Sequence, residues 1–443
     1  MTQETFAVAA PPLDRDEAGA PGRRAQKRTA VVSGAIGSAL EWFDFAVYGA
    51  LSATIFPVLF FSGLGAAGGL IASFATFGVG FFARPLGAVV CGHLGDKYGR
   101  RPVLLGTFVL MGVSSLAIGA LPVNQGVTIA AVLVALRFLQ GFSLGGEATG
   151  AQLMILEHAN ARQRGFLGAF INIGSPLSQV LANVTLVVLS SSLSEAAFLS
   201  WGWRVPFLMS IFLVLVGIFI RLRLEETPVF VEHKAASTES VSGLQVLRSR
   251  PGTITKLMLV RAGSNVTFYT MAVYGLNYLT TSAGFVQSQA FVIVLVANGV
   301  SVLFGLLGGR LSDRIGRRPI LVIAILAQIV AVVCFFPAAA TGNVVLVTAT
   351  VALAISGVQF EFGSQPALYA EEFPTNMRFS GSALSLSFSQ LLFSAPAPML
   401  AAALASTGNF WAIAAVNVAV LLLSLVCVRW LRRNHRAELT EIG

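Results

Sequence analysis

The sequence predicts an all-α polytopic membrane protein, with twelve transmembrane helices in two pseudo-two-fold-related six-helix bundles. Three observations carry this. Of 443 residues, 55% are hydrophobic and only 11% charged, with a mean hydropathy of +0.78, whereas a soluble surface needs about 25% charged residues. The apolar runs are close to the roughly 20 residues that a helix needs to cross about 30 Å of hydrocarbon. The third observation is an internal repeat. "GHLGDKYGRRP" at 92–102 returns as "GRLSDRIGRRP" at 309–319, an offset of 217, and Glu147, Glu157 and Arg164 return as Glu361, Glu371 and Arg378 at an offset of 214. Two copies of a six-helix unit, six being even, share one topology, so the axis relating them runs along the membrane normal.

In chain order, residues 1–29 have no apolar core and no cleavage pattern and read as a disordered cytoplasmic tail. The spans of the first bundle (30–224) fall at about 30–57, 69–93, 102–122, 127–152, 165–190 and 204–222. A polar stretch at 225–253, with Glu225, Glu226, Glu232, Lys234 and Glu239, forms a cytoplasmic central loop. The second bundle (254–431) follows with spans at about 254–280, 288–309, 319–338, 344–367, 379–404 and 409–431, and 432–443 is a second cytoplasmic tail.

Basic residues orient this arrangement. Of 29 Lys and Arg, 22 lie in the two tails or in loops after even-numbered spans, and Arg221, Lys256 and Arg429 lie within two residues of span ends on the same side; Arg84, Arg137 and Arg261 lie deeper inside spans, and Arg204 alone sits at the opposite surface. This positive-inside asymmetry puts both termini in the cytoplasm. The net charge of +9 is then explained by topology and contact with the lipid bilayer, with no nucleic-acid partner. Cys91, Cys334 and Cys427 are too far apart for a disulfide, and none of His93, His158, His233 and His435 has a partner at metal spacing. No metal or cofactor is expected, and a buried proton carrier has to be a carboxylate.

Within the repeated loop, Gly92 and Gly309 allow close helix contact, Asp96 and Asp313 can cap or pair at a helix end, and Pro102 and Pro319 suit a first helical turn. "GxxxDxxGRR" at both places resembles the signature loop of the major facilitator superfamily. "EWFDF", "FFARPLG", "RFLQGFSLGGE", "WGWRVPF" and "RLRLEETPVF" resemble its metabolite:proton symporter family, which includes shikimate, α-ketoglutarate, citrate and proline/betaine carriers. The resemblance covers residues 30–431. It implies that Asp96, Arg100 and Arg101, with Asp313, Arg317 and Arg318, form a latch that breaks as the carrier changes face; enforcement of topology alone is the other use of these arginines. It also implies that spans one, four, seven and ten surround a central cavity, and that the carrier works as a monomer in the bacterial inner membrane.

Charge inside the spans points to function. A carboxylate or arginine at a helix centre costs roughly 2.5–3.5 kcal/mol on insertion scales, so such groups face a bundle interior or wet cavity and are paired. The candidates are Glu41, Asp44, Arg84, Arg137, Glu147, Arg261 and Glu361. Glu41, Asp44 and Tyr48 share one face of span one. Asp44 is the leading proton carrier, with Glu41 as partner or substitute and Arg137 as the group that keeps it ionised; a static Asp44–Arg137 bridge is the alternative.

Arginines bind carboxylates bidentately, so Arg84, Arg137 and Arg261 suggest that the small-molecule substrate is an organic anion. Asn265, Tyr269 and Asn277 accompany Arg261, the better ligand candidate, and Arg84 can instead satisfy carbonyls freed by Pro85. Tyr48 and Gln140 complete the substrate set, and Gln179 is among the polar residues able to line the path. Glu147 and Glu361 read as conformational, working with Arg164 and Arg378 at the inner gate, a second proton site being their other use; Glu157 and Glu371 belong to the same gating set. The whole reads as a proton-coupled importer. Uniport, and carriage of a zwitterionic osmolyte, stay open; an exporter fits less well, because "GAFINIGSPLSQV" in span five lacks the glycine pair of the antiporter motif. No nucleophile–base set or phosphate loop suggests an enzyme.

Overall fold

The computed structural model describes residues 42–98, 100–123, 126–145, 162–223 and 243–432. Among these residues, twelve helical spans follow one another as the hydrophobic runs require. Span one covers 42–54 and restarts as Phe56–Phe60, where Pro57 sits in the first turn. Span two is Gly65–Tyr98, three is Arg100–Ala120 and four is Val127–Gly145. Span five is a broken pair, Arg164–Asn172 and Gly174–Ser192, and a short helix Glu195–Ser200, capped by the Ser194 hydroxyl on the Ala197 amide, leads to span six at Val205–Arg223.

In the second bundle, span seven is Pro251–Tyr269 continued through a π-turn, Thr270–Tyr274, into Gly275–Thr281. Spans eight, nine and ten are Gln287–Ile315, Arg317–Ala340 and Val344–Glu372. Span eleven is Arg378–Ser389, a second π-turn Gln390–Ser394, and Ala397–Ala405; span twelve is Phe410–Val428. Among the described residues, eight helices are long and apolar enough to cross a membrane, and span three contributes a shorter apolar stretch, Leu105–Ala120.

Several helices outrun their apolar runs. At 1.5 Å per residue, the 34 residues of span two measure roughly 50 Å, well beyond a hydrocarbon core of about 30 Å. The surplus carries the repeated loop clear of the lipid, and the same is true of span eight, which runs on to Ile315 and stops where Gly316 adopts φ 94°. Hydropathy marks where lipid ends; capping marks where the helix ends.

Packing repeats with the sequence. Span two lies on span four as span eight lies on span ten, and three on six as nine on twelve. Glycine sets the closest crossings. A Cβ on Gly141 would stand 2.0 Å from the Gly80 carbonyl oxygen, and one on Gly363 2.0 Å from that of Gly305, so only hydrogen fits at either crossing. The bundles meet where span five packs on spans eight and ten and where span eleven packs on span two; the contacts of five with eight and of eleven with two exchange under the two-fold relation. At the surface opposite the repeated loops, Arg204 Nη1 donates to the carbonyls of Gly119, at 2.8 Å, and Leu121. Arg204 therefore closes the carboxyl end of span three.

Candidate functional site

Apolar helices bring the buried charges into two polar clusters, one per bundle. In the first, Asp44 is 2% exposed and accepts hydrogen bonds from the hydroxyls of Ser115 on span three and Ser210 on span six. Gln140 on span four donates to Ser115 Oγ at 2.7 Å and accepts from Arg137 Nη1 at 3.1 Å. Asp44 and Arg137 are thus joined through Gln140 and Ser115, without a direct ion pair between them. Arg137 is fully buried, its guanidinium 3.7 Å from the Phe45 ring centroid and 4.3 Å from that of Tyr48, where ring quadrupoles offset part of its desolvation. Its Nε and Nη2 have no hydrogen-bond acceptor among the described residues. Tyr48 turns its hydroxyl to Thr76, 2.7 Å away.

In the second bundle, Arg261 Nη1 pairs with Glu361 Oε1 at 3.1 Å, linking spans seven and ten. The other oxygen, Oε2, accepts from the Ser264 hydroxyl, and Gln328 on span nine donates to Ser264 at 3.0 Å. The reading of Glu361 as a partner of Arg164 or Arg378 meets a different geometry. Glu371, ten residues and roughly 15 Å further along span ten, lies nearer the basic end and takes Arg164 at 3.3 Å; Arg378 Nε donates to the Ala370 carbonyl at 2.9 Å.

That basic end holds a network across both bundles. Arg317 grips Glu371 with two nitrogens, Nη2 at 2.7 Å and Nε at 3.2 Å, and reaches Asp313 at 2.8 Å. Asp313 also accepts from the amides of Gly165 and Phe166, at 2.8 and 2.9 Å. These are amides of the first turn of span five, whose orphan donors and positive dipole end favour a carboxylate. Gly165 and Gly309 permit the approach: a Cβ on either would stand 2.5–2.6 Å from the other's carbonyl oxygen. Arg318 follows Arg317 and has no acceptor for Nε among the described residues. Glu41, Glu147 and Glu157 lie outside the described residues, and Asp96, Arg100 and Arg101 are described only as helical backbone.

Between the bundles runs a narrow cleft. Trp42, Phe45 and Phe77 line it from spans one and two, Gln179 and Asn183 from span five, and Phe268 and Tyr269 from span seven. Neither Asp44 nor Arg137 lines this cleft; the Phe45 ring stands in its wall and carries Arg137 and, 4.4 Å from its centroid, Arg84. Arg84 Nη1 donates to Gln390 Oε1 on span eleven at 2.7 Å, so its guanidinium joins the bundles. Of the remaining candidates, Tyr269 packs against Phe77 and Phe81. Asn265 donates to Ser389 at 2.9 Å, and Asn277 donates to the Ala53 carbonyl at 2.9 Å, a clasp between spans seven and one. Ser115, Ser210, Ser264, Gln328 and Asn183 were not distinguishable as site residues by spacing. Gln328, isolated in "PILVIAILAQIVAVV", gives the one visible signal.

The arrangement sets buried guanidinium groups, able to hold an anion, in the same bundles as buried carboxylates able to bind a proton. Comparison with known proteins agrees with a carrier. A model of the Major Facilitator Superfamily matches residues 34–396. The chain is 34% identical over 407 residues to the inner membrane metabolite transport protein YhjE of Escherichia coli, covering 90% of this chain and 92% of that one. It is 32% identical to the shikimate transporter of E. coli, covering 93% and 95%. It is 36% identical to the glycine betaine/proline/ectoine/pipecolic acid transporter OusA of Dickeya dadantii, covering 82% and 75%. Among solved structures, the partially occluded inward-open xylose transporter XylE of E. coli superposes with a TM-score of 0.70 at 15% identity, over 92% of this chain and 97% of that one.

Proposed function

The chain belongs to the major facilitator superfamily, whose members matched here are transporters and not enzymes, and from that premise we propose that it imports a small carboxylate together with a proton by alternating access. The observation that carries the proposal is the setting of Asp44. A carboxylate buried within the first bundle accepts hydrogen bonds from two serine hydroxyls, yet it lacks the direct arginine contact that would fix its charge permanently. Arg137 stands one relay away, through Gln140 and Ser115. A movement that brings Arg137 nearer favours release of the proton; one that draws it off favours uptake. Arg84, Arg137 and Arg261 supply positive charge around the path and support an anionic substrate.

The network of Arg164, Asp313, Arg317 and Glu371 acts in this reading as the cytoplasmic latch, made when the inner side is closed and broken when it opens. Both termini then face the cytoplasm of a bacterium whose inner membrane holds the carrier as a monomer. A second reading, a zwitterionic osmolyte as substrate, is favoured by the cleft itself: Trp42, Phe45, Phe77, Phe268 and Tyr269 offer ring faces to a quaternary ammonium.

Asp44→Asn tests the proton role, because it retains shape and removes titration. In proteoliposomes the variant should exchange labelled substrate across the membrane at near the wild-type rate and lose much of its accumulation under an imposed pH gradient. Accumulation at wild-type level would exclude Asp44 as the carrier.

A further inference from the structure

The Arg261–Glu361 pair is a cation site already occupied by an internal anion. We propose that a substrate carboxylate takes the place of Glu361 on Arg261, and that Glu361 leaves the guanidinium by binding a proton. The proposal rests on the carboxylate reading given above and deepens it, because it couples anion binding to a second proton, distinct from the one at Asp44.

Electroneutrality supplies the physical reason. Arg261 and Glu361 are both buried, at 7% and 2% exposure, and together carry no net charge. Adding an anion alone would leave one uncompensated negative charge in a medium of low dielectric, a cost of several kcal/mol. Adding the anion and one proton leaves the sum at zero, with the guanidinium on the substrate and Glu361 neutral.

The neighbouring groups suit both states. Gln328 Nε2 donates to Ser264 Oγ, so the hydroxyl proton is directed to Glu361 Oε2. Once Glu361 is protonated, the remaining lone pair of Ser264 can accept from it. Among the described residues, the charged and titratable groups that face Glu361 are Arg261 on span seven and, within electrostatic reach of both, Tyr369 two turns along span ten. Span nine supplies only the neutral Gln328 among the described residues, span eight packs on span ten through the glycines Gly305 and Gly308, and span five brings the neutral Asn172 to the Phe362 carbonyl.

Access follows from helix periodicity. Arg261, Asn265 and Phe268–Tyr269 recur at three- to four-residue spacing and share a face of span seven. Phe268 and Tyr269 line the central cleft, which puts Arg261 about two turns, roughly 11 Å, further toward the basic end on that face. A cleft that deepens as the basic end opens reaches Arg261 next.

Binding of labelled shikimate to the purified full-length carrier in nanodiscs, from pH 5.5 to 8, tests the exchange; the shikimate carboxylate is ionised throughout that range. In the wild type, one linked proton makes affinity rise as pH falls, by at most about tenfold per unit. Glu361→Gln should bind about tenfold or more tightly than wild type at pH 8 and show no pH slope; Glu361→Asp should restore the slope. Ser264→Ala, which loosens the hold of Glu361 on its site without removing the acid, should tighten binding several-fold at pH 8, and Arg261→Ala should lose it. Glu361→Gln or Ser264→Ala that binds more weakly than wild type, or a slope unchanged in Glu361→Gln, overturns the exchange while leaving the carboxylate reading in place. Wild-type protein that binds none of shikimate, α-ketoglutarate and citrate removes the carboxylate reading and the exchange with it.

Discussion

Ser115 and Ser210 hold Asp44 in place. Each hydroxyl donates to one carboxylate oxygen, and a hydrogen bond to a charged group contributes roughly 1.5–3 kcal/mol. The donors favour the ionised acid. Removing one with Ser210→Ala therefore favours the protonated form, and the pH profile of transport should move to the alkaline side by about one unit, since 1.36 kcal/mol corresponds to one unit; initial uptake rates between pH 5 and 9 measure this, and a shift to the acid side would contradict it. The four acids and bases concerned, Asp44, Arg137, Arg261 and Glu361, were all legible as charges that cannot face lipid. Their partners were not. Serine is unremarkable in a transmembrane helix, and nothing in spacing says that span three or span six turns a hydroxyl toward span one.

At the scale of the helix, glycine positions govern how closely spans cross. Gly363 has the Gly305 carbonyl where its Cβ would be, at 2.0 Å, and Gly308 has that of Phe360 at the same distance. Gly363→Val must push spans eight and ten apart or bend them, and overpacking of this kind costs about 1–3 kcal/mol or more. A lowered melting temperature of the purified protein in detergent is the expected outcome, with Gly299→Val, whose Cβ meets nothing within 4 Å, as the unaffected control. The span order and the repeat were readable because periodicity and motif are local. Helix ends were less so: span ten was read to 367 and continues to Glu372. That extra turn holds Glu371 and Glu372, where Glu372 meets Lys256 at 2.5 Å and the Arg432 amide at 2.7 Å. Loss of hydropathy hides a helix whose final turn is held by charge.

For the whole molecule, the two-fold relation accounts for where the bundles touch, and the basic-end network ties them together on one side. Arg317, Arg164 and Asp313 converge from both bundles on groups that the repeat had marked, although which bundle each would bridge to depends on the packing of span five against eight and ten. Breaking a buried ion pair by removing one partner costs about 3–5 kcal/mol. Glu371→Gln weakens the closed state by part of that, and Ala169→Cys, placed where Ala169 packs on Gly309 in a background without native cysteines, should then react with a maleimide at least about tenfold faster. An unchanged labelling rate would contradict the latch. Alternating access with a coupled proton is the central claim, and it is read most directly in proteoliposomes that trap a pH dye, with no imposed gradient, when shikimate or glycine betaine is added outside. Interior acidification that accompanies uptake of the substrate is the predicted result; uptake with a constant interior pH, or with alkalinisation, would contradict it.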